Sequence, residues 1–200
     1  MDQSLTELAE AVFTDTDAAL RFALRFASQQ HSSSELAGLR GPSRSGKGLS
    51  GMDGAAQAGM VRAELAKLTL TQRALLIGRY ALPDIICTCG RPCCCGHRPN
   101  PEWSEAISQL ARETTLLFAG RLTYFRLRQT LIGNLLLGLR VTDRSLAAEF
   151  GVHRQTVAEH GAKLEAAILG TRHQAGDFDR ALGRIDLLLH EAGIVRSEIQ

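Results

Sequence analysis

VTDRSLAAEFGVHRQTVAEHGAKLEAAI, the stretch from Val141 to Ile168, has the pattern of two short helices joined by a tight turn. Gly151 lies four residues after Ala147, where such a turn needs a positive φ. Thr142 or Asp143 can cap the first helix. The apolar residues at the positions that such a pair buries between its helices are Leu146, Ala147, Phe150, Val152 and Val157. The stretch therefore predicts a helix-turn-helix, with an ordinary helical hairpin capped by Gly151 as the alternative.

The second helix is predicted to begin near His153 and to turn a polar face outward. Its inward face is expected to consist of Val157, Gly161, Leu164 and Ile168. The residues expected to contact DNA are His153, Arg154, Gln155, Thr156, Glu159, His160 and Lys163, together with Arg144 of the first helix. His160 stands where an apolar residue is commoner, so it either loosens the packing or points to DNA. Because Arg forks onto guanine and Gln pairs with adenine, the outward face predicts recognition of bases in a major groove.

The composition indicates a globular protein rather than a disordered or membrane-spanning one. With 200 residues, 44% hydrophobic and 5% aromatic, the chain can bury one moderate core or two small ones. Its first residues lack the basic and apolar regions of a leader, and no run of about 18 apolar residues occurs. We therefore expect a soluble, cytoplasmic protein without membrane contact.

The net charge of +2 is unevenly distributed along the chain. Residues 1–35 are mostly acidic, whereas residues 36–100 are mostly basic, and residues 121–140 continue the basic trend. Basic segments beside a helix-turn-helix would hold phosphates and set its register without reading sequence. Solvated helix faces are the alternative for any single arginine.

A Ser- and Gly-rich segment contains GPSRSGK at Gly41–Lys47, which matches the first seven positions of a phosphate-binding P-loop. Gly48 replaces the Ser or Thr that would bind magnesium, and no apolar strand precedes the motif, so nucleotide hydrolysis is not expected. We expect instead a flexible basic arm that contacts DNA phosphates. The residues assigned to these contacts are Arg40, Arg44 and Lys47.

The five cysteines of the chain lie within nine residues, and a histidine follows two positions later. The candidate metal ligands are Cys87, Cys89, Cys93, Cys94, Cys95 and His97. Zinc takes four thiolate or imidazole ligands, so the cluster predicts a structural zinc site, with the choice of four ligands left open. Disulfides are the alternative, although a cytosolic chain would keep its thiols reduced. Asn100 and Pro101 then predict a helix start, from which Trp103 is expected to anchor the cysteine loop to the core.

Apolar periodicity predicts an all-α fold, a multi-helix domain with a small cysteine-rich zinc loop and a helix-turn-helix. The expected segments are N-terminal acidic helices (1–34), a basic Gly/Ser-rich linker (35–54), a helical region (55–120) containing the zinc loop (87–97), the helix-turn-helix region (121–170) and a C-terminal helix (171–200). The apolar members of one helix are expected to be Met60, Ala63, Leu65 and Leu68, and the apolar stripe of a later one to be Leu122, Phe125, Ile132, Leu135, Leu136 and Leu139. The last helix is expected to pack within the chain, with dimerisation as the alternative.

The order of these parts over Thr16 to Cys95 resembles that of bacteriophage late-gene antitermination proteins of the Q type. The shared parts are an amphipathic helix, a Gly- and Ser-rich segment with SGKG at Ser45–Gly48, a helix ending near a cysteine-rich loop, and a DNA-binding helical region. The resemblance implies a protein that binds near a promoter in a bacterial host cell and is loaded onto paused RNA polymerase, with or without a sigma-factor contact. The polymerase then ignores terminators. Some members carry two separated C-x-x-C pairs, whereas this chain has one crowded cluster.

These features together predict a sequence-specific, zinc-containing DNA-binding transcription regulator that is not an enzyme, and more specifically an antiterminator. A plain repressor or activator is the nearest alternative. A recombinase-like enzyme would need a nucleophile with acidic partners, but pairs such as Asp177 and Asp179 lie near helix starts, where capping explains them. A structural protein that binds only other proteins is the third alternative.

Overall fold

The described part of the chain is built from α-helices and two short β-hairpins. A computed structural model describes residues 12–37, 52–87, 89–91, 95–118 and 124–196, without the side chains of residues 27–37 and 52. The helices are α1 (Thr16–Ala37), α2 (Met52–Ala66), α3 (Leu70–Tyr80), α4 (Pro101–Glu113), α5 (Phe125–Leu137), α6 (Asp143–Phe150), α7 (Arg154–Ile168) and α8 (Asp177–Glu191), with a 3-10 turn at Thr114–Phe118. The strands are β1 (Asp84–Ile86), β2 (His97–Pro99), β3 (Gly170–Thr171) and β4 (Gln174–Ala175). The helical class predicted from periodicity is confirmed, and none of the helices described here is long and apolar enough to cross a membrane.

Helix α3 lies at the centre of the main core. It packs against α1, α4, α5 and α8, and its Leu75 and Leu76 are almost completely buried. Helix α8 adds Ile185 and Leu189, whose side chains have no exposed surface. The predicted packing of the last helix within the chain is therefore confirmed.

The start of α4 is connected to the end of α3 through Asn100. The Asn100 side chain accepts a hydrogen bond from Glu102 N, and its Nδ2 donates to the Leu82 carbonyl at 2.8 Å. Asn100 thus caps the helix, with Pro101 at its first position, as predicted. Trp103 Nε1 donates to the Gly78 carbonyl at 3.1 Å. Because the Trp103 ring also lies against Gly133, its described contacts join α3, α4 and α5.

Several predicted boundaries and inward faces differ from the structure. Helix α1 continues to Ala37 and α2 begins at Met52, so both extend into the segment expected to be a linker. The exposed face of α2 includes Met60 and Ala63, whereas Ala58, Val61 and Leu65 are buried. Phe125 and Leu139 are 39% and 55% exposed, while Leu127 and Arg128 are buried. Leu65 is buried as expected, and the exposed residues differ from the prediction because the neighbouring helices, not side-chain hydrophobicity alone, decide which face is covered. Arg40, Arg44 and Lys47 lie outside the described residues.

Residues 151–153 form the turn between α6 and α7. Gly151 ends α6 in the left-handed region, with φ +63, and the N–H groups of Gly151 and Val152 both donate to the Ala147 carbonyl. The Thr142 side chain accepts a hydrogen bond from Ser145 N at 3.2 Å and caps α6. The cap and the turn glycine predicted from sequence therefore lie at the expected positions.

Changing Gly151 to Ala should lower the free energy of unfolding by about 1 kcal/mol, because a residue with a Cβ is strained in the left-handed region. The control Gly161→Ala should have the opposite sign. Gly161 lies inside α7 with no atom within 4 Å of an added Cβ, so Ala there should stabilise the helix by about 0.5–1 kcal/mol. Urea unfolding of both variants measures the difference. A stability gain for Gly151→Ala would contradict the role of this turn.

Candidate nucleic-acid interface and cysteine hairpin

A small second core holds α6 and α7 against α5. Its fully buried members are Leu127 of α5, Leu146 of α6 and Val157 of α7. The partly buried residues packed around them are Tyr124, Leu131, Ala147, Phe150 and Val152. All five apolar residues that the sequence assigned to the helix pair thus lie in one cluster. Helix α5 forms the third wall of this cluster, and so determines which face of α7 is turned to solvent.

The outer face of α7, opposite this core, carries most of the polar residues predicted to contact DNA. Its exposed members are Arg154, Gln155, Ala158, Glu159, Ala162 and Lys163. The ring Nδ1 of His153 accepts a hydrogen bond from Gln155 N at 3.2 Å, so this exposed histidine is the N-cap. Thr156 is half-buried at the side of the face, and Arg144 of α6 is exposed. The structure thus brings these predicted residues, with the exception of His160, to the solvent side of the helix pair.

Gln155 and Glu159 are hydrogen-bonded to each other on the outer face. Gln155 Nε2 donates to Glu159 Oε1 at 3.1 Å, one helical turn further along. This bond directs the Gln155 amide along the helix axis and leaves its oxygen as an acceptor. To donate and accept hydrogen bonds with a base edge at the same time, the Gln155 amide would have to give up its hydrogen bond to the Glu159 carboxylate.

Two alanines of the outer face were missed by the sequence reasoning. Ala158 and Ala162 are exposed between the polar residues, where larger apolar side chains would keep a ligand away from the helix. Alanine methyl groups can contact the methyl group of thymine in a major groove. The signal was available, since both alanines lie opposite Val157 and Leu164 on a helical wheel.

His160 faces the protein interior and is removed from the set of DNA-facing residues. Its side chain is 4% exposed, its ring stacks on Phe118 with centroids 4.3 Å apart, and its Nδ1 lies 2.8 Å from the Thr156 carbonyl. Gly161, which was expected to face inward, has no neighbouring atom where a Cβ would stand. The inward positions of α7 are therefore 157, 160, 164 and 168, because the Phe118 ring gives the imidazole an apolar surface to cover.

A buried arginine also lies near the Phe118 ring, with its Cζ 5.6 Å from the ring centroid. Arg128 is 2% exposed and its Nη2 donates to the Ala111 carbonyl at 3.1 Å and to Thr115 Oγ1 at 2.9 Å. Burial lowers the pKa of His160, and the charges of Arg128 and Lys163 lower it further, against the raising effect of the Thr156 carbonyl. The ring is therefore neutral near pH 7. Its proton is assigned to Nδ1, because that nitrogen lies within hydrogen-bonding distance of the Thr156 carbonyl.

The cysteine loop connects the two strands of an antiparallel hairpin. Ile86 pairs with His97 in the ladder, and Cys87 N donates to the Gly96 carbonyl at 2.8 Å. Gly96 and Gly90 have φ values of +81 and +64, which a residue with a Cβ rarely adopts. The ladder therefore brings the first cysteine of the cluster close to the end of the loop, near its last cysteine and the histidine.

The soft ligands of this loop lie at the surface. Cys89, Cys95 and His97 are exposed, Cys87 is half-buried, and Cys95 Sγ donates to the His97 carbonyl at 3.3 Å. Cys93 and Cys94 lie outside the described residues. Among the residues that are described, no three His, Cys, Asp or Glu side chains form a group that could hold a metal ion. The donor set is nevertheless of the thiolate and imidazole type that zinc prefers, within a loop that both strands close.

The surface around the helix pair is basic. Residues 124–176 contain seven Lys and Arg residues and four Asp and Glu residues, a net charge of +3. All of these cations except Arg128 are exposed: Arg126, Arg140, Arg144, Arg154, Lys163 and Arg172. A positive surface around a polar helix face attracts a polyanion and draws it towards that face.

Replacing His160 with Phe should remove part of the pH dependence of stability. Burial in the folded state lowers the pKa of His160 below its ordinary value of about 6.5, so at a pH below about 6.5 the unfolded chain binds more protons than the folded chain. The free energy of unfolding should therefore fall as the pH drops from about 7.5 to about 5.5, and fall less in His160→Phe. Urea unfolding at both pH values measures this. His173→Gln, a change at an exposed ring, should behave as wild type, and an equal pH loss in His160→Phe would exclude His160 as the cause.

Two features of the structure can therefore carry chemistry. The helix pair presents a polar face with exposed cations around it on a buried support, and the cysteine hairpin carries candidate metal ligands in its loop. No family model, curated protein or solved structure matches this chain, so its function has to be inferred from this geometry.

Proposed function

We propose that this protein is a sequence-specific, duplex-DNA-binding transcription regulator in which α6 and α7 form a helix-turn-helix. The observation that carries this proposal is the outer face of α7, whose exposed polar residues lie opposite the core of Leu127, Leu146 and Val157. Any amphipathic surface helix turns polar side chains to solvent. The particular support for DNA is that Arg154 and Gln155, at the exposed start of α7, are of the residue types that form paired hydrogen bonds with base edges in a major groove.

The dimensions of the helix pair suit a major groove. Helix α7 has 15 residues and a length of about 22 Å, and a groove about 12 Å wide admits one helix. Gln155 lies in the first turn of α7, where a helix that enters the groove by its N-terminus contacts base edges. Arg144 is exposed in the first turn of α6, where its guanidinium can bind a backbone phosphate. In this arrangement α7 reads bases while α6 holds the backbone.

The charge of the surface favours DNA over a protein partner for this face. Residues 124–176 have six exposed cations, five of them arginines, against four carboxylates, and such cations release counterions when they neutralise phosphates. Binding to DNA would therefore weaken steeply with salt. Arg40, Arg44 and Lys47, outside the described residues, stay predicted phosphate contacts that would add to the same salt dependence.

Changing Gln155 or Arg154 to Ala should weaken binding to the preferred site by about 1–3 kcal/mol each, because each side chain supplies a base-edge contact. Binding to random duplex should change much less. The preferred site is first selected by wild-type protein from a pool of random duplexes, and affinities are then measured by titration.

Arg184→Ala is the matched control for this experiment. Arg184 is exposed on α8. The Arg184→Ala variant therefore removes the same charge as Arg154→Ala from a different helix, and it should leave the preference for the selected site unchanged. Equal losses on selected and random DNA would assign Arg154 or Gln155 to phosphate. Unchanged affinity for both variants would show that α7 does not lie in the groove, and would contradict the proposal.

We also propose that the cysteine hairpin holds one structural zinc ion, with four of the six ligands Cys87, Cys89, Cys93, Cys94, Cys95 and His97. The support is the lack of a local core. Cys89, Gly90, Arg91 and Cys95 are all exposed, so the described part of the loop buries little apolar surface that could hold it. Thiolate and imidazole bonds to zinc would supply that stability instead. Asn100, bonded to Leu82, would transmit the order of the hairpin to α4.

The purified protein should contain about one zinc per chain, measured by elemental analysis under reducing conditions. Cys87→Ser should lose zinc and destabilise the fold around Trp103, the single tryptophan, whose fluorescence reports the change. Cys94→Ser serves as the comparison and should keep zinc if Cys94 is the spare thiol. Reduced, metal-free protein that is fully folded would contradict the proposal.

The antitermination role implied by the resemblance stays a prediction, as does the contact with RNA polymerase. Both would require a DNA-binding unit that holds the protein beside a promoter. The geometry of the helix pair supports that requirement alone. The interpretation of the protein as a regulator without catalytic activity also stays a prediction.

A further inference from the structure

A short β-hairpin follows α7 directly and presents two basic residues at its tip. Strands β3 and β4 pair Gly170 with Ala175 and Thr171 with Gln174, which leaves Arg172 and His173 as the two turn residues. Both side chains are exposed. No carboxylate among the described residues forms an ion pair with Arg172. The guanidinium of Arg172 at the tip therefore contributes no ion pair to the described part of the fold.

The base of this hairpin is held in one geometry by two glycines. A Cβ on Gly176 would lie 2.3 Å from the Ile168 carbonyl oxygen, and one on Gly170 would lie 2.4 Å from the Gln174 carbonyl oxygen. Gly170 also has φ +87. Such close backbone contact requires glycine at both positions. The tip is thus attached closely to the end of α7 rather than through a long linker.

Helix α8 braces the second strand. Arg180 Nη1 donates to the Ala175 carbonyl at 2.9 Å, while its Nη2 donates to Asp177 Oδ1. The cation of Arg180 is therefore engaged in holding the hairpin, unlike that of Arg172. Because the hairpin is already ordered, a ligand at its tip would cost little conformational entropy.

The hairpin lies beside the flank of α7 that carries Lys163. A groove of about 510 Å³ runs between Lys163 and Ala167 of α7 and Thr171 and Gln174 of the hairpin, and the Arg180–Asp177 ion pair also lines it. Thr156, two helical turns before Lys163, projects to the same flank. A ligand that lies along the outer face of α7 would therefore meet the hairpin at the far end of the helix.

We propose that the hairpin from Gly170 to Gly176 is a second DNA contact, in which Arg172 and His173 bind phosphates that flank the site read by α7. This inference rests on the proposed function. The reading residues and the hairpin are separated by the length of α7, about 22 Å, which is less than one duplex turn of about 34 Å. Both can therefore engage one DNA segment when α7 lies along the groove with its outer face on the DNA. Phosphate contacts of this kind add affinity and orientation without reading sequence.

The test compares Arg172→Ala with Arg184→Ala on the selected site and on random duplex, over a range of salt concentrations. Arg172→Ala should lower affinity by the same factor on both DNAs, and should reduce the slope of log K against log salt by about 0.9, the value for one lost phosphate contact. Arg172→Lys should restore most of the affinity, since a phosphate accepts either cation. Arg184→Ala, a control with the same charge change, should leave affinity and slope close to wild type.

The outcomes separate this inference from the proposed function. If wild-type protein shows no salt-dependent binding to duplex DNA, both fail. If it binds but Arg172→Ala has the affinity and salt slope of Arg184→Ala, the hairpin is not a DNA contact and the role of α7 stands. A loss confined to the selected site would also overturn the inference, because it would make Arg172 a base-reading residue.

Discussion

The packing of α7 onto α5 and α6 through Leu127, Leu146 and Val157 is the contact on which the proposed function depends. With these three side chains buried, the rotation of α7 about its axis is determined, and Gln155, Glu159 and Lys163 must face solvent. A rotation of one residue, about 100°, would bury polar side chains and expose the apolar ones. A well-packed core tolerates such changes poorly. The small core thus defines the surface that a ligand meets.

A buried polar cluster reinforces this rotation where the small core meets the main one. The Phe118 ring centroid lies 4.3 Å from the centroid of the His160 ring and 5.6 Å from Cζ of the Arg128 guanidinium. Within the described residues, Arg128 Nη1 and His160 Nε2 have no hydrogen-bond partner, which costs about 1–3 kcal/mol for each such group. The Ala111 carbonyl, Thr115 and the face of Phe118 offset part of that cost. The cluster connects the α7 backbone to α4 and α5, so it transmits order from the main core to the outer face.

The cysteine hairpin and the hairpin after α7 illustrate two ways of ordering a loop without a core of its own. In the hairpin from Gly170 to Gly176 the backbone itself is packed, since two glycines leave no space for side chains, and Arg180 bonds the outer strand. In the described part of the cysteine loop, Cys89, Arg91 and Cys95 are exposed, and the ladder closes only the base of the loop. That difference is the physical reason for proposing zinc in one hairpin and no metal in the other. Both hairpins lie next to helices of the core, which would sense any change in them.

The sequence by itself determined the features that depend on neighbouring residues: the Thr142 cap, the positive φ of Gly151, the start of α4 at Asn100 and the apolar set of the helix pair. Caps, turns and helical periodicity act over a few residues, so they can be predicted locally. The tertiary structure alone decided that Ala58 and Val61 face inward instead of Met60 and Ala63. It likewise buried His160 and Arg128 and formed two hairpins from strands of two or three residues. Small side chains and very short strands carry almost no periodic signal in the sequence. A buried imidazole or guanidinium is stable only where a residue distant in sequence, here Phe118, lies against it.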